Sequence, residues 1–194
     1  MTTALIVIDV QESFRARPLW QTTDNPAVVT NVGRLVDAAR AAGDPVIWVL
    51  HEEPGTGNVF DPESGFVRVM DELKPAADEP VLVKRVHNAF TGTDLQYRLT
   101  AAGIRSVTVC GLRTEQCVET TARVASDLGY DVTFALDATA TNPIPHPDAP
   151  AEQSVEELLA DPRTLSAADV SARTVYALAG RFATVRTVAE IIGE

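Results

Sequence analysis

Residues 106–136 read SVTVCGLRTEQCVETTARVASDLGYDVTFAL. The apolar run at residues 106–110 is typical of a strand, and residues 131–136 predict a second strand. Residues 114–128 between them predict a helix, which Gly129 ends. Two strands joined by a helix of this length indicate a right-handed βαβ unit with parallel strands, which places the chain in the α/β class.

The same alternation of strands and helices continues on both sides of this unit. Further strands are predicted at residues 4–10, 45–50, 81–84 and 182–185. Helices are predicted at residues 25–42, 93–102, 151–160 and 166–179, and after the last strand. Continuous apolar runs such as ALIVIDV suit strands that are buried on both faces of a parallel sheet. We therefore predict a doubly wound, mainly parallel sheet of five or six strands with helices on both faces, a three-layer Rossmann-like arrangement in a single domain over residues 1–194.

Charge and composition narrow the classes of function. The formal net charge of -11 argues against binding to nucleic acid or to an anionic membrane, because such partners select basic surfaces. No apolar stretch approaches the roughly 18 residues of a membrane span. Met1 leads directly into an apolar run, without a basic segment or a small-residue cleavage site, so we expect a cytoplasmic protein. The two cysteines provide neither a disulfide framework nor a zinc motif.

Three reactive side chains fall at the ends of predicted strands. Asp9 lies at the end of the first, Lys84 closes the third, and Cys117 follows the fourth. In open α/β sheets, ligands bind beyond the carboxyl ends of the strands, where these side chains would meet. Any one of them alone is equally well explained by a chain that emerges into solvent. Three groups of complementary chemistry at one edge of a sheet predict a reactive site.

Cys117 lies in the first turn of the helix at residues 114–128, with Thr114 predicted as its N-cap. Backbone N–H groups and the helix dipole favour a thiolate at this position, so we predict a lowered pKa for the thiol. The alternative is a buried, inert cysteine, which is our interpretation of Cys110 inside the preceding strand.

A cysteine nucleophile needs a group that takes its proton and returns it to the leaving group. The three histidines are poorly placed for this, since His51 and His146 lie in predicted loops and His87 lies in a polar turn. A carboxylate at the apolar edge of a sheet is partly desolvated, which raises its pKa toward that of a useful base. We therefore predict that Asp9 is the base, and that Lys84 either holds Asp9 ionised or stabilises the thiolate.

Three segments of the chain carry a family resemblance. They are ALIVIDVQESF at residues 4–14, VKRVHNAFTGTDLQYRL at 83–99 and VTVCGLRTEQCVETTARVASDLGYDVTFALDATAT at 107–141. In this order and spacing they resemble the isochorismatase-like cysteine hydrolases, the superfamily that includes nicotinamidases and N-carbamoylsarcosine amidohydrolase. The resemblance covers nearly the whole chain and implies a six-stranded parallel sheet.

The resemblance implies a catalytic triad of Asp9, Lys84 and Cys117. It also implies a cis peptide bond between Leu112 and Arg113, which turns the backbone N–H groups of Arg113 and Cys117 inward as an oxyanion hole. The implied reaction is cleavage of a C–N bond of an amide, carbamoyl compound or lactam through a thioester on Cys117, without a metal. Some members of the superfamily instead cleave a vinyl ether without a cysteine nucleophile, and the presence of Cys117 favours C–N cleavage here.

One departure from the superfamily concerns metal binding. The nicotinamidases carry a metal motif, Asp-x-His followed by a second His, after the second strand. The corresponding stretch here, VLHEEPGTGN at residues 49–58, holds His51 alone. We therefore expect no metal and no other cofactor, and the sequence disfavours nicotinamidase activity.

Seven side chains near the ends of these strands are candidate substrate contacts: Gln11, Phe14, Trp20, His51, Asn88, Phe90 and Thr114. The aromatic side chains are equally well explained as core packing, the amides as partners of local backbone, and His51 as a loop residue. Arg15, Arg17 and Arg113 are candidates for receiving an anionic group, although a solvated surface is the favoured interpretation of the first two. Asp137 closes the predicted strand at residues 131–136, and we interpret it as a structural turn cap rather than a catalytic group.

Two other classes of protein fit parts of the sequence. One is a binding protein on the same scaffold that has lost catalysis, and the intact triad argues against it. The other is a dinucleotide-dependent oxidoreductase, but QESF at residues 11–14 stands where such proteins carry a glycine-rich turn for the pyrophosphate. The expected partners are a small-molecule substrate and, by resemblance, further copies of this chain in a homodimer or larger assembly. Amides, N-carbamoyl compounds, lactams and hydroxamates all remain open as substrates.

Overall fold

The strands of the protein form one parallel sheet in a computed structural model that describes residues 2–194. They are β1 (Thr3–Ile8), β2 (Val46–His51), β3 (Val81–Lys84), β4 (Ser106–Leu112), β5 (Asp131–Ala140) and β6 (Thr184–Arg186). Their order across the sheet is β3-β2-β1-β4-β5-β6, and every neighbouring pair is parallel. The predicted doubly wound α/β sheet is therefore confirmed.

Helices connect the strands and cover both faces of the sheet. They are α1 (Glu12–Arg15), α2 (Val28–Ala42), α3 (Leu95–Ala101), α4 (Glu119–Asp127), α5 (Val155–Ala160), α6 (Ala167–Leu178) and α7 (Val188–Ile192). Short 3-10 turns lie at Pro18–Thr22 and Pro62–Ser64, and a π-helical turn at Thr114–Val118 precedes α4. None of the helices in residues 2–194 has the length and apolar character needed to cross a membrane.

The core consists of two apolar layers, one on each face of the sheet. Ile6 and Ile8 of β1 point into the layer that includes side chains of α3, α4 and α6. Leu5 and Val7 point into the opposite layer, which includes side chains of α2 and α7. Burial of both faces explains why β1 reads as a continuous apolar run rather than as an alternating pattern.

The first strand and the first long helix are shorter than predicted. β1 ends at Ile8 rather than at residue 10, because Asp9 adopts a left-handed backbone conformation with φ of 54°. α2 begins at Val28 rather than at residue 25. The side chain of Asn25 instead donates hydrogen bonds to two carbonyl oxygens of β5, at 2.7 and 2.8 Å, and anchors the chain before the helix begins.

Boundaries in the second half of the sheet also move. β4 and β5 extend beyond residues 110 and 136, because the two strands continue to pair as far as Leu112 and Ala140. β6 begins at residue 184 rather than 182. The single helix predicted before β5 is divided into the π-helical turn and α4.

The close approach of β1 and β4 requires a glycine. Gly111 lies opposite Ile8 in the parallel pairing, with φ of 119°. A Cβ atom at this position would lie 1.9 Å from the carbonyl oxygen of Ile8, far inside the normal contact distance of two heavy atoms. The missing side chain therefore lets the two strand ends meet directly before Asp9.

We expect Gly111→Ala to destabilise the protein by about 3 kcal/mol or more, because the strand pairing or the backbone must shift. Gly129→Ala is the matched control. Gly129 also has a positive φ, 87°, but an added Cβ would meet no atom within 4 Å. Its expected cost is therefore only about 1–2 kcal/mol. Urea unfolding gives both values, and equal losses in the two variants would contradict the role of close approach.

Candidate active site

The carboxyl ends of β1 and β4 mark the point where the strand order reverses. The chain runs from β1 outward to β2 and β3 and then returns to place β4 on the other side of β1. Such a switch point leaves a crevice in which α/β proteins bind their ligands. Asp9 follows β1 directly and Cys117 lies in the first turn after β4, so the topology brings both to this crevice.

Lys84 reaches the same crevice from β3, with β2 between its strand and β1. Its Nζ lies 2.7 Å from Oδ2 of Asp9 and 3.3 Å from Sγ of Cys117. Neither the Asp9 nor the Lys84 side chain has any exposed surface. The structure therefore brings the three predicted catalytic side chains together. The sequence left open whether Lys84 acts on Asp9 or on Cys117, and in the structure Lys84 contacts both.

The Asp9 carboxyl is a desolvated acid held beside a cation. Burial raises the pKa of Asp9 above its ordinary value, while the positive charge of Lys84 opposes part of this rise. The thiol of Cys117 is near enough to favour the ionised carboxylate as well. Oδ1 of Asp9 is buried and makes no hydrogen bond of regular geometry within residues 2–194. This oxygen is therefore an unused acceptor on a carboxyl group that lies beside the Cys117 thiol.

The Cys117 thiol has an environment opposite to the one predicted. Burial raises the pKa of Cys117, and the negative charge of Asp9 raises it further, while Lys84 opposes both effects. The predicted lowering of this pKa is therefore wrong. The prediction counted the helix terminus and omitted the loss of solvent around a residue that is 6% exposed. A thiolate at this position requires transfer of the proton to a neighbouring base.

The helix that carries Cys117 does not begin as the sequence suggested. In the π-helical turn, Val118 donates its backbone N–H to the carbonyl oxygen of Arg113 at 3.3 Å. Thr114 is fully buried, and its hydroxyl donates to the hydroxyl of Thr139 at 2.9 Å. Thr114 is therefore not the predicted N-cap, and its predicted contact with substrate is not supported, because its hydroxyl is used inside the protein.

The peptide bond between Leu112 and Arg113 is cis, as predicted. It joins the end of β4 to the turn that carries Cys117. The use of the backbone N–H groups of Arg113 and Cys117 as an oxyanion hole stays a prediction.

His87 is a functional candidate that the sequence analysis dismissed. Its Nδ1 lies 3.9 Å from Sγ of Cys117, so the imidazole contacts the thiol. The residue is exposed to solvent, in contrast to the buried Asp9 and Lys84. The available signal was its position in the turn directly after Lys84, which keeps it at the same edge of the sheet.

Gln11 and His51 hold the ends of β1 and β2 together. The Gln11 amide has no exposed surface, donates to the hydroxyl of Ser13 and the carbonyl oxygen of His51 at 2.9 Å each, and accepts from the His51 N–H at 2.7 Å. The predicted contact of Gln11 with substrate is therefore not supported. His51 ends β2 rather than lying in a loop, and its ring packs against Phe60 with Nε2 at 3.2 Å from Glu53.

Asn88 and Phe90 also serve the protein itself. The Asn88 side-chain oxygen accepts from the backbone N–H groups of Phe90 and Thr91 at 3.0 and 2.9 Å, which stabilises the turn after β3. Phe90 is buried and stacks on Tyr130 with ring centroids 6.0 Å apart. Their predicted substrate contacts are therefore not supported, and local backbone and core packing explain the two residues.

Phe14 and Trp20 are half-buried and pack against the apolar layer beneath α2. The Phe14 ring meets Phe60 edge to face with centroids 5.1 Å apart. The guanidinium of Arg15 lies 5.9 Å from the centre of the Trp20 ring and pairs with Glu72 through two contacts of 2.7 Å. These contacts indicate that Phe14 and Trp20 pack within the protein rather than line a substrate site. The surface ion pair of Arg15 agrees with its favoured interpretation as a solvated residue.

A cavity of about 480 Å³ adjoins the turn that carries Cys117. Arg113 and Gln116 of this turn line one side, and Arg17 lines another. Four apolar side chains form much of the remaining wall: Leu19, Ile144, Val155 and Leu158. Arg17 is half-buried here, so the favoured interpretation of a solvated Arg17 is wrong.

Two further interpretations concern residues outside the site. Cys110 is fully buried, and its thiol contacts the carbonyl oxygen of Ile6 at 3.8 Å, as expected for an inert cysteine. Oδ1 of Asp137 accepts from the backbone N–H of Val188 at 2.7 Å at the start of α7, which is a structural role. Within the part of the chain that the structure describes, no three His, Cys, Asp or Glu side chains are grouped to hold a metal ion.

A comparison with protein families identifies the family of this chain. The model of the isochorismatase domain matches residues 3–163, a span that includes Asp9, Lys84 and Cys117. The chain belongs to the isochorismatase family of hydrolases. The resemblance stated from the three sequence segments is confirmed.

Relatives of this isochorismatase-family hydrolase cover most of the chain. The isochorismatase family protein YddQ of Bacillus subtilis (strain 168) is 33% identical over 142 residues, which are 73% of this chain and 79% of that protein. Streptothricin hydrolase of Streptomyces noursei is 35% identical over 144 residues, which are 73% of this chain and 56% of that protein. Nicotinamidase 3 of Arabidopsis thaliana is 31% identical over 153 residues, which are 71% of this chain and 73% of that protein.

Solved structures of the family share the fold over nearly the full chain. A hydrolase of the isochorismatase family from Chromobacterium violaceum ATCC 12472 has a TM-score of 0.87 at 28% identity and covers 99% of this chain and 92% of its own. A cysteine hydrolase from Pseudomonas syringae pv. phaseolicola 1448A has a TM-score of 0.83 at 29% identity and covers 98% of this chain and 91% of its own.

The pH dependence of Cys117 alkylation tests the electrostatics of the site. Because burial and Asp9 raise the thiol pKa, we expect reaction with iodoacetamide to become fast only above the ordinary cysteine pKa of about 8.5. Asp9→Asn removes the negative charge and should shift the curve to lower pH. Lys84→Met removes the positive charge and should shift it to higher pH. Peptide mapping by mass spectrometry separates Cys117 from Cys110.

Asparagine and methionine keep most of the volume of the residues that they replace, and the unfolding midpoint of each variant shows whether the fold persists. A wild-type curve centred well below the ordinary pKa would contradict the raised thiol pKa. A curve that neither substitution moves would contradict the contacts of Asp9 and Lys84 with the thiol.

Proposed function

We propose that this protein is a cysteine hydrolase that cleaves a C–N bond of a small molecule through a thioester on Cys117. The observation that carries the proposal is the buried Lys84 ammonium, which contacts both the Asp9 carboxylate at 2.7 Å and the Cys117 sulfur at 3.3 Å. The kinship with proteins named streptothricin hydrolase and nicotinamidase supports hydrolysis as the reaction class. Amides, N-carbamoyl compounds and lactams are the substrate types that this chemistry suits.

Acylation starts with proton transfer from Sγ of Cys117 to Oδ1 of Asp9. The thiolate attacks the carbonyl carbon, a C–S bond forms, and the carbonyl electron pair moves onto oxygen. The backbone N–H groups of Arg113 and Cys117 stabilise this oxyanion. The C–N bond then breaks as the nitrogen takes the proton from Asp9, and the amine or ammonia leaves. Lys84 stabilises the thiolate while the proton resides on Asp9.

Deacylation repeats the sequence with water. Asp9 takes a proton from a water molecule, the resulting hydroxide attacks the thioester carbon, and the C–S bond breaks. The proton returns from Asp9 to sulfur, and the acid product leaves. A raised carboxyl pKa serves both half-reactions, because the same group must accept a proton and then release it.

Vinyl ether hydrolysis is the second candidate, and the match to the isochorismatase domain supports it. That reaction does not use a cysteine nucleophile, so the two candidates differ in their need for the Cys117 sulfur. A binding protein without catalysis is the third interpretation, and it requires no function of the thiol. The cytoplasmic location, the homo-oligomeric assembly, the single domain and the independence from cofactors stay predictions.

Asp9→Asn and Cys117→Ser should each lower amide hydrolysis by about 100-fold or more, because each removes a group that is bonded or protonated during the reaction. Turnover of a panel of primary amides, N-carbamoyl compounds and lactams provides the rates. Intact-protein mass spectrometry after rapid acid quenching should show the acyl group on wild-type Cys117. Cys110→Ala, a change in the core, should retain the rate. Full amide hydrolysis by Cys117→Ser would contradict the thioester route. Vinyl ether hydrolysis that Cys117→Ser retains, without turnover of any amide by the wild-type protein, would favour vinyl ether chemistry.

We expect His87→Ala to slow breakdown of the thioester more than its formation. The imidazole is solvent-exposed and contacts the sulfur, so it is positioned to accept the proton of the incoming water and pass it on to Asp9. Stopped-flow kinetics should show a burst of the amine product followed by a steady state about 10-fold slower or more. His87→Gln, which keeps a polar side chain that does not titrate, should behave like His87→Ala. Equal slowing of both phases would contradict this role.

A further inference from the structure

The cavity beside Cys117 combines apolar walls with two guanidinium groups. Arg113 and Gln116 reach it from the turn that carries the nucleophile, and Arg17 reaches it from the segment after α1. Leu19 and Ile144 contribute to the apolar part of the wall. With a volume of about 480 Å³, the cavity accommodates a small organic molecule, and Gln116, which lines it, directly precedes Cys117 in the chain.

Arg17 has no partner for its charge within residues 2–194. It is half-buried, yet no carboxylate lies within ion-pair distance, and burial together with the charge of Arg113 lowers its pKa. The carboxylate of Glu53 acts on Arg17 only at longer range. Glu53 is instead used by His51 at 3.2 Å and by the side-chain amide of Asn58 at 2.6 Å. Arg17 is therefore a partly desolvated cation without a counterion among the described residues.

Arg113 is only partly satisfied by its neighbours. Its Nε donates to the side-chain oxygen of Gln116 at 3.4 Å, at the long limit of a hydrogen bond. Glu115 lies 3.8 Å away, and its other carboxylate oxygen accepts from the Thr141 hydroxyl at 2.5 Å. The terminal nitrogens of Arg113 have no hydrogen-bond acceptor among the residues that the structure describes.

Other arginines of the chain pair closely with carboxylates. Arg15 binds Glu72 through two contacts of 2.7 Å, and Arg40 binds Glu79 at 2.7 and 2.9 Å. Partly buried arginines normally have such partners, because burial of an unpaired charge is costly. In the part of the chain that the structure describes, Arg17 lacks a carboxylate partner, and Arg113 has one only at 3.8 Å, in Glu115. Two like charges that line one cavity with so little compensation indicate a site for an anion that comes from outside the protein.

We infer that Arg17 and Arg113 form a subsite for an anionic group of the substrate, and that the substrate is a small amide that carries a carboxylate at its far end. The apolar wall suits a short hydrocarbon segment between the carboxylate and the amide carbon that meets Cys117. The anion subsite stands on the cavity and the two arginines. The statement that the other end is a cleavable amide rests on the proposed function.

Half-amides of dicarboxylic acids test the subsite directly. Succinamate, glutaramate and adipamate carry a primary amide and a carboxylate separated by increasing lengths of hydrocarbon. The corresponding diamides have nearly the same shape and no charge. Calorimetric titration of the Cys117→Ser variant measures binding without turnover. We expect one of the half-amides to bind about 10- to 100-fold more tightly than its diamide.

Variants of the two arginines identify the source of this preference. Arg17→Met and Arg113→Met, each in the Cys117→Ser background, should remove most of the preference, while Arg17→Lys should restore part of it. Arg15→Met is the matched control, because Arg15 pairs with Glu72 on the surface and should leave the preference intact. Unfolding midpoints show that the variants fold.

Binding and turnover separate the two claims. Tight, arginine-dependent binding of a half-amide without hydrolysis by the wild-type protein would keep the subsite and overturn C–N cleavage of this substrate class. Hydrolysis of the diamides at the rate of the half-amides would keep the proposed function and overturn the subsite. Equal affinity for half-amides and diamides, an undiminished preference in both Met variants, or no binding of any half-amide at millimolar concentration would also overturn the subsite.

Discussion

Asp9 and Lys84 form an ion pair from which solvent is fully excluded, and the chemistry of the site depends on it. Removing such charges from water costs on the order of several kcal/mol per ion. Loss of one partner leaves the charge of the other buried without compensation. The Lys84 ammonium also contacts the Cys117 sulfur, so the pair sets the charge that the thiol experiences. Asp9 opposes ionisation of the thiol and Lys84 favours it. The charges of Asp9 and Lys84 therefore act together on the protonation of the thiol.

The sheet makes this buried unit possible. Reversal of the strand order places Asp9 and the Cys117 turn on neighbouring strands, and Lys84 extends from β3 past the end of β2 to reach them. Gln11 ties the ends of β1 and β2 together through three hydrogen bonds of its amide, of which two join it to His51. A cavity adjoins the same frame, and Arg113 and Gln116 of the turn that carries Cys117 form part of its wall.

Features that depend on backbone periodicity could be predicted from the sequence, and features that depend on the surroundings of a side chain could not. Apolar runs and helical spacing placed the strands well enough to bring Asp9, Lys84 and Cys117 to one edge. The predicted lowering of the Cys117 pKa was wrong because the effect of burial on the thiol outweighs that of the helix terminus. No local sequence pattern reports how deeply a side chain is buried. Thr114 was predicted as a helix cap, but its hydroxyl instead donates a hydrogen bond to Thr139 of β5, a contact that is distant in sequence. The contact of His87 with the thiol depends on the path of an irregular turn, which periodicity does not encode.

The protonation state of Cys117 at rest tests the central claim most directly. Infrared spectroscopy detects the S–H stretch of a thiol, and in a Cys110→Ala background Cys117 is the remaining cysteine of the chain. The account predicts an S–H band at neutral pH that disappears in the Cys117→Ser variant. It also predicts that Asp9→Asn weakens this band at the same pH, because removal of the carboxylate charge lowers the thiol pKa. Absence of the band in the Cys110→Ala protein, together with the ultraviolet absorbance of a thiolate, would contradict the account.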